Sequence, residues 1–321
     1  MSSKITFMPT ILEYAASVIN QTPSAAAINE ELLSRAHIKA SKVFQGDLIT
    51  VGIDVYNIEA EALGSDVRFF DDNSIPGIIS RPPIAIDDEL EFSTERGRIK
   101  LILSAAEAVK KEISGVPVGI GICAPFSILV ERLGYEEALF LMLSDEDAAH
   151  RLLQKLLSFQ KKYCEEIAKR GLGVTIFESW ATPPLISPQM YREFAFPHEK
   201  ELISAVKSYG IAAAPLVIGG DTSLIADDIL LTGSTLLVAD YCADIALYLK
   251  KASDAGVTLR VNIDPKMVQS AAADELIEKA KKVITQVGGY EKFVLGTGVI
   301  PYDTPPENLI ALREFCNGTK L

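Results

Sequence analysis

One feature constrains this chain more than any other: from about residue 49 onward, short apolar runs rich in branched residues alternate with longer amphipathic stretches. That rhythm belongs to repeated βα units with strands buried on both faces. The runs Ile49–Val55, Val116–Cys123, Val174–Glu178, Ala212–Ile218, Thr235–Asp240, Val257–Asn262 and Phe293–Thr297 read as strands. Seven strands with intervening helices predict an α/β fold, a single closed (β/α)8 barrel of the TIM type, once an eighth strand is found in residues 4–9 or 75–86. Residues 1–46 are expected to form an alanine-rich helical extension and residues 47–321 the barrel core, together one domain. Residues 65–100, with Pro76, Pro82 and Pro83, read as a long insertion over the site.

The intervening helices carry start and stop signals. Ser144 precedes an acidic first turn, and Leu152, Leu153, Leu156, Tyr163 and Ile167 recur at helical spacing until Gly171. Ser187-Pro188 and Asp264-Pro265 each pair a capping oxygen with a proline at the first helical position. Thr304-Pro-Pro-Glu307 has the pattern of a capping box before the last helix.

Composition excludes several function classes. A formal net charge of -12 disfavours phosphate-neutralising surfaces, so no nucleic-acid partner is expected. Cys123, Cys164, Cys242 and Cys316 lie far apart without a Cys-x-x-Cys pair, which reads as reduced thiols. No stretch approaches the roughly 18 apolar residues of a membrane span, and the opening residues lack a long apolar run; a cytoplasmic location is expected.

Barrel enzymes work at the C-terminal ends of their strands. Those ends supply Asp54, Cys123, Glu178, the Gly219-Gly220-Asp221-Thr222 turn, Asp240, Asn262 and Thr297, a polar ring without histidine. Clustered carboxylates raise one another's pKa and suit acid–base work or cation recognition, although Asp221 and Asp264 serve equally well as caps. Glu178-Ser179-Trp180 brings an acid, a hydroxyl and the only tryptophan to one strand end. Trp180 there is either a wall for a flat or apolar ligand or a core filler. The candidate catalytic set is Glu178, Asp54 and Ser179; Tyr56, Phe126, Trp180, Asp221, Asp240, Asn262 and Thr297 are candidates for substrate contact. His37, His150 and His198 fall in helices or at their starts, and no metal site is expected from them. Gly219-Gly220 lacks dinucleotide-fingerprint spacing and reads as a tight turn.

Several segments together resemble one family. Phe177-Glu-Ser-Trp-Ala, Leu185-Ile-Ser-Pro-Gln-Met-Tyr-Arg-Glu-Phe, Val261-Asn-Ile-Asp-Pro, Gly296-Thr-Gly-Val-Ile-Pro and Asp303-Thr-Pro-Pro-Glu-Asn-Leu are similar to the central and late motifs of the uroporphyrinogen decarboxylase superfamily. Glu59-Ala-Glu-Ala-Leu-Gly, Gly115-Val-Pro and Ala124-Pro-Phe-Ser resemble its methylcobalamin:coenzyme M methyltransferase branch. The resemblance implies a barrel with a polar funnel and, for many members, a homodimer. Its decarboxylases hold a tetrapyrrole with paired arginines; here Pro9 and Glu13 stand in those places, and Thr297 replaces a late histidine. Its methyltransferases hold zinc with a His-x-Cys pair and a later cysteine; here Val217 and Gly219 replace the pair, and Thr297-Gly298-Val299 offers no cysteine.

The resemblance therefore implies a zinc-independent, corrinoid-linked methyltransferase acting on a small molecule, with Glu178 or Asp54 handling a proton. No cofactor is expected to be tightly bound; a methylcorrinoid would be carried by a partner protein docked over the funnel. Two other readings stay open: a carboxy-lyase acting on a tetrapyrrole or smaller acid, with Asp54, Ser179 and the insertion arginines Arg68, Arg81, Arg96 and Arg98, and a non-catalytic binder of a corrinoid or small ligand.

Overall fold

The computed structural model describes residues 4–84 and 89–320. Its strands are β1 (Thr6–Thr10), β2 (Ile49–Val51), β3 (Asp66–Arg68), β4 (Gly77–Ser80), β5 (Val118–Cys123), β6 (Gly173–Phe177), β7 (Leu216–Val217), β8 (Leu236–Ala239), β9 (Thr258–Ile263) and β10 (Phe293–Val299). Eight of them make two four-stranded parallel sheets, ordered β1-β10-β9-β8 and β2-β5-β6-β7. The sheets meet at both margins. Asp47 N donates to Phe7 O at 2.8 Å beside β1 and β2, and Leu216 N donates to Ser234 Oγ at 3.0 Å beside β7 and β8. The result is an α/β, TIM-barrel-like arrangement with helices outside the strands.

All seven strand runs become strands, most of them trimmed at the ends. The eighth is β1, in the first of the two places expected; β3 and β4 form an antiparallel hairpin instead, and Ala85 and Ile86 lie outside the described residues. Because β1 pairs with β10, the barrel begins before residue 47, which corrects the division into an extension at 1–46 and a core at 47–321. The helices Tyr14–Val18, Pro23–Ala27 and Glu30–Phe44 lie between β1 and β2. They bury Leu33, Ala36, Ala40 and Phe44 against the common core, and it is this apolar face rather than alanine propensity that fixes them.

Two cap assignments change. Asp145, not Ser144, caps the helix Glu146–Lys169, its Oδ1 accepting from Ala148 N at 3.0 Å. Thr304 caps nothing: Pro305 takes the extended cap position, the helix begins at Pro306, and the Thr304 hydroxyl is buried without a partner. Ser187 and Asp264 cap as expected, accepting from Met190 N at 3.2 Å and Lys266 N at 2.9 Å. Among the described residues, no helix is long and apolar enough to cross a membrane.

Candidate active site

Side chains alternate across a strand, and β6 shows what that does to the site. Thr175 and Phe177 point into the barrel, where Thr175 Oγ1 meets Thr50 Oγ1 at 3.1 Å and the Phe177 ring stands edge-on to Tyr56, centroids 6.3 Å apart. Ser179 continues this inward register. Its Oγ accepts from the Tyr56 hydroxyl at 2.6 Å, and it lies beside Gly219, where an added Cβ would stand 3.9 Å from Ser179 Oγ and 3.7 Å from Asp240 Oδ2. Tyr56, Ser179, Gly219 and Asp240 therefore converge at the C-terminal end of the strands.

Glu178 takes the opposite register, which corrects its assignment to the working face. It is wholly buried, and its Oε1 accepts from Ser127 N at 2.5 Å, the first turn of the helix Pro125–Leu133. Its other oxygen has no partner. Burial, with Glu199 close by, holds this carboxyl well above the usual range, and it sits between barrel and helix layer. Glu199 is itself pushed up to about 8 by burial and accepts from Tyr191 Oη at 2.5 Å. Phe126 is likewise buried completely on that helix and packs in the core, so it is removed from the substrate-contact set. Trp180 is half-buried on the rim, its Nε1 donating to Glu131 Oε1 at 2.8 Å and its ring stacked on Tyr135 at 5.7 Å.

Asp54 is in place at the end of β2 but is already paired. Arg98 of the insertion donates Nη1 to Oδ1 at 2.8 Å and Nη2 to Oδ2 at 2.7 Å, while Asn57 Nδ2 adds a bond to Oδ2 at 2.9 Å. Arg98 also donates Nε to Glu61 at 2.6 Å and lies 5.0 Å above the Phe69 ring. A guanidinium held by two carboxylates neutralises the site and has no charge left for a substrate. The hairpin closes over it, with Asn57 Nδ2 donating to Pro76 O at 2.6 Å.

Across the barrel, Asp240 accepts from Gly220 N at 2.8 Å and from Asn262 Nδ2 at 3.0 Å. Asn262 Oδ1 then accepts from Arg260 Nε at 2.8 Å, and Arg260 Nη2 donates to Thr10 Oγ1 at 2.6 Å and Thr297 O at 2.8 Å. This chain of bonds orients Asp240 and Asn262 inward, as the sequence suggested. Thr297 instead occupies the outer register: it is fully buried, and its hydroxyl accepts from Thr10 N at 3.1 Å, so it stitches β1 to β10. Asp221 is exposed and accepts from Ser223 N at 3.0 Å, a local turn bond outside the ring.

Reading strand ends does not find two further residues. Arg260 sits two positions before Asn262 on β9, and its signal is alternation, a charge at an inward register of an otherwise apolar strand. Burial lowers its pKa to about 10 against the pull of Asp240. Glu13 follows β1 beside Leu12, which packs with Val55 and Phe177 at the barrel mouth. It is 7% exposed, and burial raises its carboxyl to about 7 against a bond to its own backbone. Its position was visible as a departure from the family's arginine; its desolvation was not.

His37 and His198 keep structural roles, while the ligand atoms of His150, Glu146 and Glu193 lie within 4.8 Å of one another. His37 Nε2 lies 3.1 Å from Gly52 O, His198 Nδ1 lies 2.8 Å from Phe194 O, and burial lowers the His37 pKa to about 4. Glu59 of the methyltransferase-like segment is also structural, accepting from Cys123 N at 2.9 Å and Gln160 Nε2 at 2.7 Å. The positions that would hold zinc do not fit it, since Val217 packs beside Phe177 and Gly219 presents no donor atom. A cavity of about 810 Å³ lies at the other end of the barrel. It is lined by strand beginnings such as Thr6, Val118, Gly173 and Thr258, and none of the converging polar residues lines it.

Comparison with known proteins agrees with this architecture. The family model described as uroporphyrinogen decarboxylase (URO-D) matches residues 5–318. A uroporphyrinogen decarboxylase of Chlorobaculum parvum is 30% identical over 271 residues, covering 79% of this chain and 75% of its own. One from Chlorobium phaeovibrioides is 29% identical over 301 residues, covering 89% and 83%. Among solved structures, a methyltransferase from Methanosarcina mazei superposes with a TM-score of 0.88 at 17% identity, covering 98% of this chain and 94% of that one. A B12-independent methionine synthase from a Shewanella species gives 0.58 at 12% identity, covering 98% and 96%. With the family model spanning nearly every residue and the late-strand motifs standing at the barrel mouth, the chain belongs to the uroporphyrinogen decarboxylase family.

Proposed function

We propose that this chain is a (β/α)8-barrel methyltransferase that works without zinc on a small substrate, with the methyl group delivered or received by a corrinoid on a partner protein. The observation that carries the reading is the pairing state of the mouth. Asp54 is neutralised by Arg98, and Glu13 stands where a polyanion-binding member would place an arginine. Holding eight carboxylates beside a desolvated acid is unfavourable, whereas a small neutral or singly charged substrate meets no such cost.

In this reading Glu13, with a pKa near 7, is the group that gives a proton to a leaving group or takes one from an acceptor. It replaces Glu178, which is turned outward, and Asp54, which is locked. The Tyr56–Ser179 hydroxyl pair orients the substrate from the opposite side, and Trp180 walls the rim. The corrinoid supplies the cobalt-bound methyl group when its carrier docks; every protein group named here binds, orients or moves a proton.

The test is the visible spectrum of methylcobalamin, free or on a cognate corrinoid protein, incubated with the enzyme and a panel of thiols, amines and methyl ethers. Enzyme-dependent change in the methylcobalamin bands supports methyl transfer. No change with any acceptor and either carrier, together with conversion of uroporphyrinogen to coproporphyrinogen, would establish the carboxy-lyase reading instead.

A further inference from the structure

Arg260 has no ionic partner among the described residues, although it is 5% exposed and lies inside the barrel. Its bonds all go to neutral acceptors: Asn262 Oδ1, Thr10 Oγ1 and the Thr297 carbonyl. The nearest carboxylate, Asp240, has one oxygen on Gly220 N and the other on Asn262 Nδ2, so it reaches Arg260 only through an amide. A neutral side chain would serve those three acceptors without the cost of burying a charge.

The chain makes a specific accommodation for this guanidinium. Gly296 faces Arg260 from β10, and a Cβ there would fall 2.3 Å from Arg260 Nε and 2.6 Å from Asn262 Oδ1. The remaining nitrogen, Nη1, donates none of these bonds. An in-plane donor left open beside a second donor that is already fixed is the arrangement that recognises a single compact oxyanion.

We infer that Arg260 is the anchor for a carboxylate on the substrate, which makes the substrate class a small monocarboxylic acid. The inference rests on the mouth of the barrel being the substrate site, but binding is measured without turnover, so its failure and that of methyl transfer are separable. Acetate, glycolate and propionate are titrated into the wild-type protein and into Arg260→Gln and Arg260→Lys by calorimetry, with circular dichroism as the check on folding.

Saturable binding to wild type is expected, weakened about tenfold to a hundredfold in Arg260→Gln and partly retained in Arg260→Lys, as for loss of one charge-assisted contact. No saturable binding to wild type, or equal affinity in folded Arg260→Gln, overturns the inference. Should neither variant fold, a crystal of the wild-type protein soaked in the tightest of the three acids decides. Carboxylate oxygens within hydrogen-bond distance of Nη1 support the anchor, and an acid bound elsewhere overturns it.

Discussion

Arg98 grips Asp54 through two parallel hydrogen bonds, Nη1 to Oδ1 and Nη2 to Oδ2 at 2.8 and 2.7 Å, and both side chains are almost fully enclosed. The pair ties the insertion to the end of β2. It also removes the most obvious acid of the site from proton chemistry.

Cutting one partner leaves the other charge buried. Arg98→Met is expected to destabilise the protein by about 3–5 kcal/mol, and the double change Asp54→Asn with Arg98→Met by clearly less, because the uncompensated carboxylate is gone. Urea unfolding of the two single variants and the double variant completes the cycle; a purely additive result would show that the pair is not coupled.

Glu13 gives stability a pH slope of defined sign. Its folded pKa, about 7, lies above the ordinary value of 4.5, so the native state binds more protons than the unfolded state between those values. Stability therefore falls as pH rises from about 4.5 through 7 and levels off above. Glu13→Gln is expected to remove on the order of 3 kcal/mol of that fall. Denaturation midpoints of variant and wild type, compared from pH 4.5 to 8.5, isolate the effect from Glu59 and Glu199, which slope the same way. The same variant should lose the limb of the pH–rate profile near neutrality.

Glu178→Gln separates position from chemistry. An amide retains the acceptor for Ser127 N and carries no charge to be buried beside Glu199. The variant should unfold at higher denaturant than wild type at pH 8, and its kcat should stay within a few-fold. A collapse of kcat at unchanged stability would return this residue to the active site.

Gly296→Ala probes the space made for Arg260. The new methyl group overlaps Arg260 Nε and Asn262 Oδ1, so a loss of about 1–3 kcal/mol is expected from overpacking. A thermal melt reads it directly, and the double variant Gly296→Ala with Arg260→Ala should recover part of the loss, since the obstructing side chain is removed.

The sequence by itself determined the order of strands and helices, because hydrophobic period and capping chemistry are local properties of the chain. It located the polar residues at strand ends, and Ser179, Asp240 and Asn262 do converge there. Local reading could not decide register at the last residue of a strand, where one step turns a side chain from barrel interior to helix layer. That step placed Ser179 inside and Glu178 and Thr297 outside. Nor could it show which charges are spent on one another, since Asp54 and Arg98 are 44 residues apart in the chain. Only the tertiary structure brought them together, and the same packing desolvated Glu13 and left Arg260 without an anion. Pattern thus fixed where the polar groups could be, while burial and pairing, which depend on the whole fold, decided which of them remain free to act.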